Sequence, residues 1–545
     1  MKTINLLKIM TCTLLLSSEV GAQTIYDAAK FSGKDLNGTA RFVGMGGAMG
    51  ALGGDISTIS TNPAGIGIYR SNDLMTTFGF NYTSSESNYK GSIMNSDKYR
   101  GSFDNIGFVY SSKIGNQTAL RYVNFGFNYH KAKSFNRDFA MGGDLSFAYN
   151  GSTRWISQTD QMALSSRDLS TGDMNLNNLD VNSVRAGWLS ILGWNGCLIH
   201  QDPASANQYI GFPANDPSGS YSSRERGGID AYDFNLSFNI SNRVYLGFTL
   251  GAYDVNYTKN TMYSEYFPSS INPLDNNGNE IPFFLENTDY SYSLESFMKT
   301  TGTGVDFKAG IIFRPVEESP LRIGAAIHTP TFYNLTMHNS AILTSNADVD
   351  AQKHIIPVKS YSLDTYNEIG GDAVTDYQLT TPWKYNLSLG YTIGSNVALG
   401  AEYEYQDYST AKLSYGDGTR MSDENSMMKD FLKGVSTLRL GAEIKLVPEF
   451  SIRAGYNHSA GAFTNDAFKN LPLNSVRTDT DYSNEKSIDN YTLGLGYRAG
   501  SFYADIAYQY SAYKEDFYPF DNLDLTKTSV NNDKQQVLLT LGFRF

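Results

Sequence analysis

A glycine-rich run near the amino terminus is the segment whose spacing comes closest to that of a ligand-binding motif. Gly44-Met45-Gly46-Gly47-Ala48 is followed by Asp55 and then by Asn62-Pro63-Ala64-Gly65. Glycine-rich loops bind dinucleotides when a strand precedes them and a βαβ unit follows, because glycine lets the backbone approach a pyrophosphate. Here no strand precedes the run, no βαβ unit follows, and the spacing differs. The small residues instead favour close packing of this backbone against another surface.

Side chains typical of catalysis or metal binding are sparse. The six histidines are scattered, at positions 130, 200, 328, 338, 354 and 458, and the cysteines are Cys12 and Cys197. A cysteine-rich zinc site is therefore excluded. Spacing leaves a Ser–His–Asp site open, because strand neighbours are distant in sequence, but nothing marks one. The sequence predicts no enzyme, no cofactor and no metal site.

The composition indicates the fold class of the protein. The chain has 545 residues, among them 50 glycines, 38 tyrosines and 31 phenylalanines, and 18% are charged. A bundle of transmembrane helices would need several apolar runs of about 20 residues, and the mean hydropathy is −0.34. The net charge of −12 disfavours a nucleic-acid partner, because phosphate contacts need clustered Lys and Arg. A large, aromatic, all-β protein remains.

Residues 1–22 are typical of a secretory signal peptide. Lys2 and Lys8 precede a short apolar stretch, and Val20-Gly21-Ala22 provides small residues for cleavage before Gln23. The apolar stretch is too short to cross a bilayer, so we expect removal rather than anchoring. The mature chain would keep Cys197 alone and form no intrachain disulfide. An exported chain of this length then needs another source of stability, such as a lipid-embedded barrel.

Apolar and polar residues alternate along most of the remaining chain. Residues 383–393 place an apolar side chain at every second position, and residues 397–405 do so again after a short turn. A period of two indicates a strand with one apolar and one polar face. These strands run about 11–15 residues, whereas strands of soluble sandwiches average about 5–6. Tilted strands of that length cross a hydrocarbon core of about 25–30 Å.

The pattern predicts an all-β fold, a transmembrane antiparallel β-barrel of about 14 strands. Tight turns alternate with long polar loops, which is the asymmetry expected of an outer-membrane barrel. A large soluble sandwich or propeller is the alternative. The predicted strands lie near residues 73–86, 100–113, 121–133, 229–241, 243–258, 300–314, 321–336, 380–394, 396–410, 434–447, 449–460, 487–499, 501–514 and 533–545.

The chain ends on two aromatic residues of its last predicted strand. Phe543 and the terminal Phe545 share one face with apolar residues that precede them. Such an end resembles the signal read by the outer-membrane assembly machinery, which we expect as a partner during insertion, with outer-membrane lipids as the surroundings. A buried last strand would also end on apolar residues. Tyrosine and phenylalanine at strand ends fit the aromatic girdles of membrane interfaces.

Residues 23–72 precede the first predicted strand, and their motifs indicate the type of barrel. Gly44-Met45-Gly46-Gly47-Ala48, Asp55 and Asn62-Pro63-Ala64-Gly65, in that order, resemble the FadL family of outer-membrane transporters, which includes TodX-like aromatic-hydrocarbon channels. The resemblance implies an amino-terminal hatch over 23–72 that plugs the lumen of a barrel over 73–545. It also implies a monomer that takes up long-chain fatty acids or similar hydrophobic molecules passively. The substrate would leave sideways through a gap in the wall.

Two regions are candidates for substrate contact. The segment 137–228 is predicted as an external loop, and its length indicates a function. Its apolar cluster is either a landing groove for a lipophilic substrate or a local core. The hatch residues either contact substrate in the lumen or pack against the wall. The candidates are Trp188, Leu189, Ile191, Leu192 and Trp194 in the loop, and Phe42, Met45, Met49 and Leu52 in the hatch.

Charged residues lie on the predicted inward face of the wall, where they avoid lipid. We expect ion pairs that fill a plugged lumen rather than ion selectivity. The residues are Arg322, Lys384, Glu402, Glu404, Arg439, Glu443, Lys445, Arg453, Arg498 and Asp505.

The hatch motif leaves more than one function open. Some FadL-like barrels act as carriers or anchors in protein secretion systems, and this is the main alternative to uptake. An outer-membrane lipase or protease is a third class, which would require a catalytic serine or aspartate.

Overall fold

The computed structural model describes residues 22–150, 152–179, 185–202, 205, 207–212, 214–270, 289–346 and 360–545. The predicted signal peptide, apart from Ala22, lies outside the described residues. Fourteen antiparallel strands form one closed wall, since the first strand pairs with the last from Asp73 opposite Arg544 to Asn88 opposite Ser529. The predicted barrel and its strand number are confirmed.

Each predicted strand corresponds to one strand of the wall, and four of them are interrupted. The wall strands are β1 (Asp73–Tyr89), β2 (Ser92–Lys113), β3 (Leu120–Ser134, continuing as Arg137–Asp144), β4 (Ser218–Ile240), β5 (Val244–Phe267), β6 (Tyr290–Phe313), β7 (Arg322–His328, continuing as Phe332–Ser345), β8 (Ala373–Thr380, continuing as Lys384–Ile393), β9 (Val397–Asp407, continuing as Lys412–Tyr415), β10 (Gly434–Val447), β11 (Phe450–Ser459), β12 (Tyr482–Ala499), β13 (Phe502–Tyr518) and β14 (Thr528–Arg544).

The two ends of the barrel differ. One end of the barrel, where β1 begins and β14 ends, is called the hatch end. Short turns at this end join β2 to β3, β4 to β5, β6 to β7, β8 to β9, β10 to β11 and β12 to β13. The backbones of Asn72 and Phe545 exchange two hydrogen bonds there. At the opposite end, called the cap end, the links are longer except for the two-residue β1–β2 turn. We expect the hatch end to be the periplasmic one.

Several strands are longer than the membrane requires. Strands β4, β5 and β6 contain 23 or 24 residues and extend well beyond the hydrocarbon core at the cap end. Residues 137–144 and 218–228 therefore belong to the wall, although the sequence assigned them to an external loop. The insertion between β3 and β4 is residues 145–217.

A continuous apolar band surrounds the wall. Leu387 and Leu493 are each 62% exposed, and every strand contributes at least one such residue. A contiguous apolar surface of this size is unfavourable in water and stable in lipid, where a closed sheet pairs its own backbone groups. The band includes Leu74, Phe78, Ile106, Phe125, Phe234, Phe248, Phe307, Ile323, Leu387, Leu399, Leu440, Ile452, Leu493, Ile506 and Leu539. Within the described ranges, no helix is both long enough and apolar enough to span a bilayer.

Short helices occur inside the barrel and at its cap end. The hatch, residues 23–72, contains α1 (Ile25–Ser32), α2 (Ala40–Gly44) and the 3₁₀ turns Ile56–Ser60 and Pro63–Ile68. The cap, residues 145–217, contains α3 (Gln158–Ser165), the 3₁₀ turn Leu176–Leu179 and α4 (Trp188–Asn195). Its short strands are Ser146–Tyr149, Ser152–Trp155, Ile199–Gln201, Tyr209–Gly211 and Ala214–Asn215, the last paired with Ser269–Ser270. The remaining elements at this end are the strand Tyr361–Asp364, α5 (Thr365–Ile369), the 3₁₀ turn Tyr408–Thr410 and α6 (Ser422–Phe431).

The apolar interior divides into a large core at the cap end and small clusters around the hatch. The large core joins α1 of the hatch to the cap and to the inner faces of β4–β7, and Trp188, Tyr257 and Tyr290 are fully buried in it. The hatch clusters contain Phe42, Met45 and their neighbours near β13 and β14. The lumen is thus filled from both ends by different parts of the chain.

Candidate functional site

The hatch backbone lies directly against the wall because the wall presents glycine there. Four of these glycines face one another across β8 to β11: Gly390, Gly400, Gly441 and Gly455. A Cβ on Gly400 would collide with the carbonyl oxygen of Ala48, and one on Gly455 would collide with the backbone nitrogen of Gly46. This row of wall glycines explains why the hatch itself is rich in small residues, since backbone meets backbone.

Asn62-Pro63-Ala64-Gly65 fits the opposite side of the wall. Gly247 on β5 and Gly310 on β6 are cross-strand neighbours, and a Cβ on either would collide with Asn62 or Pro63. The Asn62 side chain donates to the carbonyl of Ile311 at 3.1 Å and accepts from the backbone nitrogen of Ala64 at 3.1 Å. The motif therefore ends the hatch by fastening it to the wall.

Two residues of the glycine run require a left-handed backbone. Gly46 has φ +61° and Gly47 has φ +78°, which reverse the chain directly after α2. Asp55 stabilises the same region, because its carboxylate accepts from the Thr39 hydroxyl at 2.8 Å and from the Ser57 nitrogen at 3.0 Å. These predicted hatch residues form the inner scaffold of the plug.

The four apolar hatch candidates lie together. Phe42, Met45, Met49 and Leu52 are between 0% and 6% exposed and form one cluster, to which Leu538 of β14 also belongs. The structure places them in packed contact with the wall. Contact with a substrate stays a prediction for these residues.

Buried ion pairs connect the hatch to the wall. Arg41 of α2 binds Glu443 of β10 through two hydrogen bonds of 2.9 and 3.1 Å. Arg453 of β11 binds the same Glu443 at 2.6 Å and Asp505 of β13 at 2.6 Å. This arrangement agrees with the expected ion-paired filling of the lumen, as does the pair of Arg439 with Glu402 at 2.6 Å.

A second set of charges lies on β4, β6 and the hatch. Lys308 binds Asp233 at 2.6 Å, and both side chains are at most 1% exposed. Lys34 of the hatch approaches Asp306 at 3.8 Å and donates to the Tyr253 hydroxyl at 2.7 Å. Two residues with predicted inward charges, Lys445 and Arg498, are instead exposed near the tight turns of the hatch end.

The segment between β11 and β12 holds α1 at the cap end. Arg477 binds Asp27 of α1 at 2.5 Å and Asp479 at 2.8 Å, and it donates to the carbonyl of Ala22 at 2.9 Å. Lys469 binds the same Asp479 at 2.9 Å. Burial, together with the smaller effect of the nearby Arg477, lowers the pKa of Lys469 to about 8, although the carboxylate of Asp479 acts in the opposite direction. These contacts hold α1 in place at the cap end.

A cavity of about 650 Å³ separates the hatch from the inner wall and the cap-end segments. Lys30, Lys34 and Asn37 of the hatch line one side, and Tyr129 and Tyr257 belong to the wall side. Most of the residues that line it are polar or charged, aromatic and aliphatic side chains add apolar surface, and the cationic side chains are largely ion-paired. We call this cavity the chamber. Its size and polarity suit water together with the polar part of a ligand.

The wall beside the chamber is incompletely paired. Strands β2 and β3 pair from Lys113 opposite Tyr122 only as far as Asn105 opposite His130. Beyond that point β2 continues to pair with β1, and the second part of β3 pairs with β4. Residues 92–104 and 131–144 therefore share no backbone ladder. We call this stretch the wall gap.

Side chains bridge the wall gap. Lys98 binds Asp138 at 2.6 Å, and Arg100 donates to the Asn136 amide oxygen at 2.5 Å. From inside, Asn37 of the hatch donates to Asp104 at 2.8 Å and to the carbonyl of Lys131 at 3.1 Å. The gap is therefore closed by side chains that can separate without breaking a strand ladder, and sequence reasoning did not locate it.

The apolar loop candidates lie inside the cap. Trp188, Leu189, Ile191 and Leu192 are between 0% and 5% exposed, and the Trp188 ring nitrogen donates to the carbonyl of Leu179 at 3.0 Å. Trp194 is half-buried and packs edge-on against a tyrosine ring. As placed, these residues form a core, and their contact with substrate stays a prediction.

In the ranges that the structure describes, no three residues of the His, Cys, Asp or Glu types are arranged to hold a metal ion.

No protein-family profile matches the sequence, and no curated protein does. Among solved structures, the chain is similar to a Pseudomonas aeruginosa FadL homologue, with 14% identity, a TM-score of 0.49, and coverage of 94% of this chain and 99% of that one. It is also similar to the P. putida toluene transporter TodX (11% identity, TM-score 0.45, coverage 94% and 99%) and to the Ralstonia pickettii toluene transporter TbuX (13%, 0.42, 94% and 99%). The barrel fold of this protein is established by the pairing of its own strands. These three neighbours are a FadL homologue and two toluene transporters, proteins of the kind that the sequence resembles.

Proposed function

We propose that this protein is an outer-membrane channel for passive uptake of hydrophobic molecules through a hatch-plugged barrel. The wall gap beside the chamber carries the proposal. Below the chamber, the hatch backbone lies in contact with the row of wall glycines, so the direct route along the barrel axis is filled. A molecule in the chamber is separated from the outer face of the barrel by bridging side chains such as Lys98 and Asp138.

The energetics of such a route need no coupled reaction. Each CH₂ group moved from water into lipid is worth about 0.8 kcal/mol, so an acyl chain that leaves through the gap gains free energy when it moves into the adjacent lipid. Movement down a concentration gradient then suffices.

The polar chamber favours a hydrophobic substrate that carries a polar head. Lys98, Arg100, Lys131 and Lys133 line the chamber near the gap. Lys98 and Lys131 already bind aspartates, whereas Arg100 and Lys133 donate to uncharged oxygens, and a ligand carboxylate would be stabilised by these two donors. Long-chain fatty acids, or amphiphiles like them, fit these two requirements better than an unsubstituted hydrocarbon.

The proposal includes the surroundings of the protein. The apolar band supports contact with membrane lipids, and we propose that these are the lipids of a Gram-negative outer membrane, with the hatch end in the periplasm. A barrel closed by its own first and last strands supports a monomer. Phe543 and Phe545, which are 48% and 57% exposed, remain available to the assembly machinery during insertion.

Reversible cross-linking of the wall gap tests the route. In a Cys197→Ser background, Lys98→Cys and Asp138→Cys would be joined by a short cleavable bis-maleimide, and oleate uptake into cells would be measured. We expect uptake to stop and to return after cleavage. The same cross-link between Ser222→Cys and Met262→Cys, which face each other on fully paired β4 and β5, is the control and should change nothing.

The result separates uptake from the alternative role in secretion. Uptake that continues through a cross-linked gap would overturn the proposed route. Native mass spectrometry of the same preparation that shows bound secretion components, and no lipophilic ligand, would favour a carrier or anchor.

A further inference from the structure

Four arginines meet at the hatch end of the barrel. Arg70 lies near the end of the hatch, Arg243 lies in the β4–β5 turn, and Arg314 and Arg322 flank the β6–β7 turn. Arg70 donates to the side-chain oxygen of Asn242 at 3.2 Å, and Arg314 donates to the Asn242 carbonyl at 3.4 Å. We call these four residues the arginine cluster.

The arginine cluster faces the lumen rather than lipid. Arg322 donates to the carbonyl of Leu52 in the hatch at 2.6 Å. Arg314 and Arg70 lie close enough for their positive charges to repel that of Arg322. The adjacent residues Phe313 and Ile323 are exposed on the apolar band, as strand alternation requires. A group that binds the cluster must therefore come from the aqueous side at this end.

The cluster lacks a counter-charge in the described part of the chain. Its acceptors are backbone carbonyls and one asparagine, and Glu317 of the same turn accepts from Arg314 through its carbonyl rather than its carboxylate. The inward arginines 41, 439 and 453 instead each bind a carboxylate. The Nε atoms of Arg243 and Arg314 are buried without an acceptor.

Like charges at this spacing repel one another, and a bound anion removes that cost. Guanidinium groups match oxyanions through paired hydrogen bonds, which makes arginine the preferred residue for phosphate recognition. We propose that the arginine cluster is a binding site for a soluble phosphate group at the periplasmic mouth of the barrel. This site is separate from the uptake route and does not depend on it.

The test uses the full-length barrel in a non-ionic detergent. Thermal unfolding would be followed while inorganic phosphate is titrated against sodium chloride at matched ionic strength. We expect a saturable rise of the unfolding midpoint with phosphate alone, and direct binding by calorimetry. Arg70→Gln should raise the phosphate Kd at least tenfold, because it removes one guanidinium group from the site. The Arg70 side chain contacts the β4–β5 turn through its hydrogen bond to Asn242, so we expect its loss to leave the turns intact.

Two further variants keep the result interpretable. Arg498→Gln removes an exposed arginine at the same end but outside the cluster, and it should bind phosphate as the parent does. Arg314→Gln should abolish binding, and calorimetry on its folded fraction separates that loss from a loss of the turn contacts. Equal responses to phosphate and chloride, or equal binding by the parent and Arg70→Gln, would overturn the proposal.

Discussion

The ammonium of Lys98 and the carboxylate of Asp138 lie 2.6 Å apart across the stretch of wall where β2 and β3 share no backbone ladder. Along most of the wall, the strands of this barrel are joined by rows of backbone hydrogen bonds. At the wall gap, side chains take over that role. A barrier made of side chains opens by rotamer changes, whereas a strand ladder opens only when several backbone bonds break together.

Removing this ion pair should speed uptake with little loss of stability. The Lys98 side chain is 13% exposed and that of Asp138 is 32% exposed, and pairs in contact with water are worth about 0–1 kcal/mol. Lys98→Met should therefore raise the initial rate of fatty-acid uptake and leave the unfolding midpoint almost unchanged. Lys486→Met, which removes a 3.0 Å ion pair between β12 and β13 outside the wall gap, is the control. A rate no higher than that of the parent would count against a gating role.

A side chain on the row of wall glycines should displace the hatch. Gly455→Leu would drive a branched side chain into the backbone of Gly46, and overpacking of this kind costs about 1–3 kcal/mol or more. We expect a lower unfolding midpoint and larger ion conductance in planar bilayers. Gly371→Leu, at a position with open space around it, should behave as the parent. Unchanged conductance in a folded Gly455→Leu barrel would show that the hatch does not seal the lumen by this contact.

Glu443 should be among the most costly single positions to neutralise. Glu443→Gln leaves Arg41 and Arg453 facing each other without their shared carboxylate, and breaking a buried pair costs about 3–5 kcal/mol. Combining it with Arg41→Met should recover part of the loss, because one uncompensated charge disappears. Chemical unfolding of the single and double variants measures this coupling. Strictly additive losses would mean that the two residues act independently.

The buried Lys469 should make stability rise with pH above about 8. Its pKa is about 8 in the folded protein and near 10.5 when unfolded, so the unfolded chain binds more protons between these values. Stability increases with pH wherever the unfolded state binds more protons. Unfolding midpoints of the parent and of Lys469→Met, compared from pH 7 to 10.5, should differ in slope over that window. Lys429→Met, which replaces an exposed lysine of α6, should keep the parental slope.

The two tryptophans of α4 should separate packing from substrate contact. Trp188 is fully buried, so Trp188→Ala should cost about 3–5 kcal/mol and make the cap sensitive to protease. Trp194 is half-buried, and Trp194→Ala should change stability less. If Trp194→Ala lowers uptake while the cap stays resistant, the landing-groove interpretation gains support. Parental uptake by this variant would leave the cluster as a core alone.

The sequence by itself determined the strands, their number and the face each turns to lipid. Alternation over residues 383–393 depends on the identity of near neighbours, and the pleat converts it directly into an apolar and a polar face. The sequence also located the hatch, because small residues and Asn62-Pro63 mark a backbone that must pack closely and then turn. It did not show how far strands such as β5 extend beyond the membrane.

The tertiary structure alone decided which strands pair along their whole length and which charges meet. The interruption of β3 at Phe135-Asn136 carries no proline or glycine, so the wall gap has no local mark in the sequence. Arg41 and Glu443 are 402 positions apart, and Lys98 and Asp138 are 40 apart. Periodicity is a property of adjacent residues, whereas register, ion pairing and the fit of a plug depend on distant segments that come together only when the barrel closes.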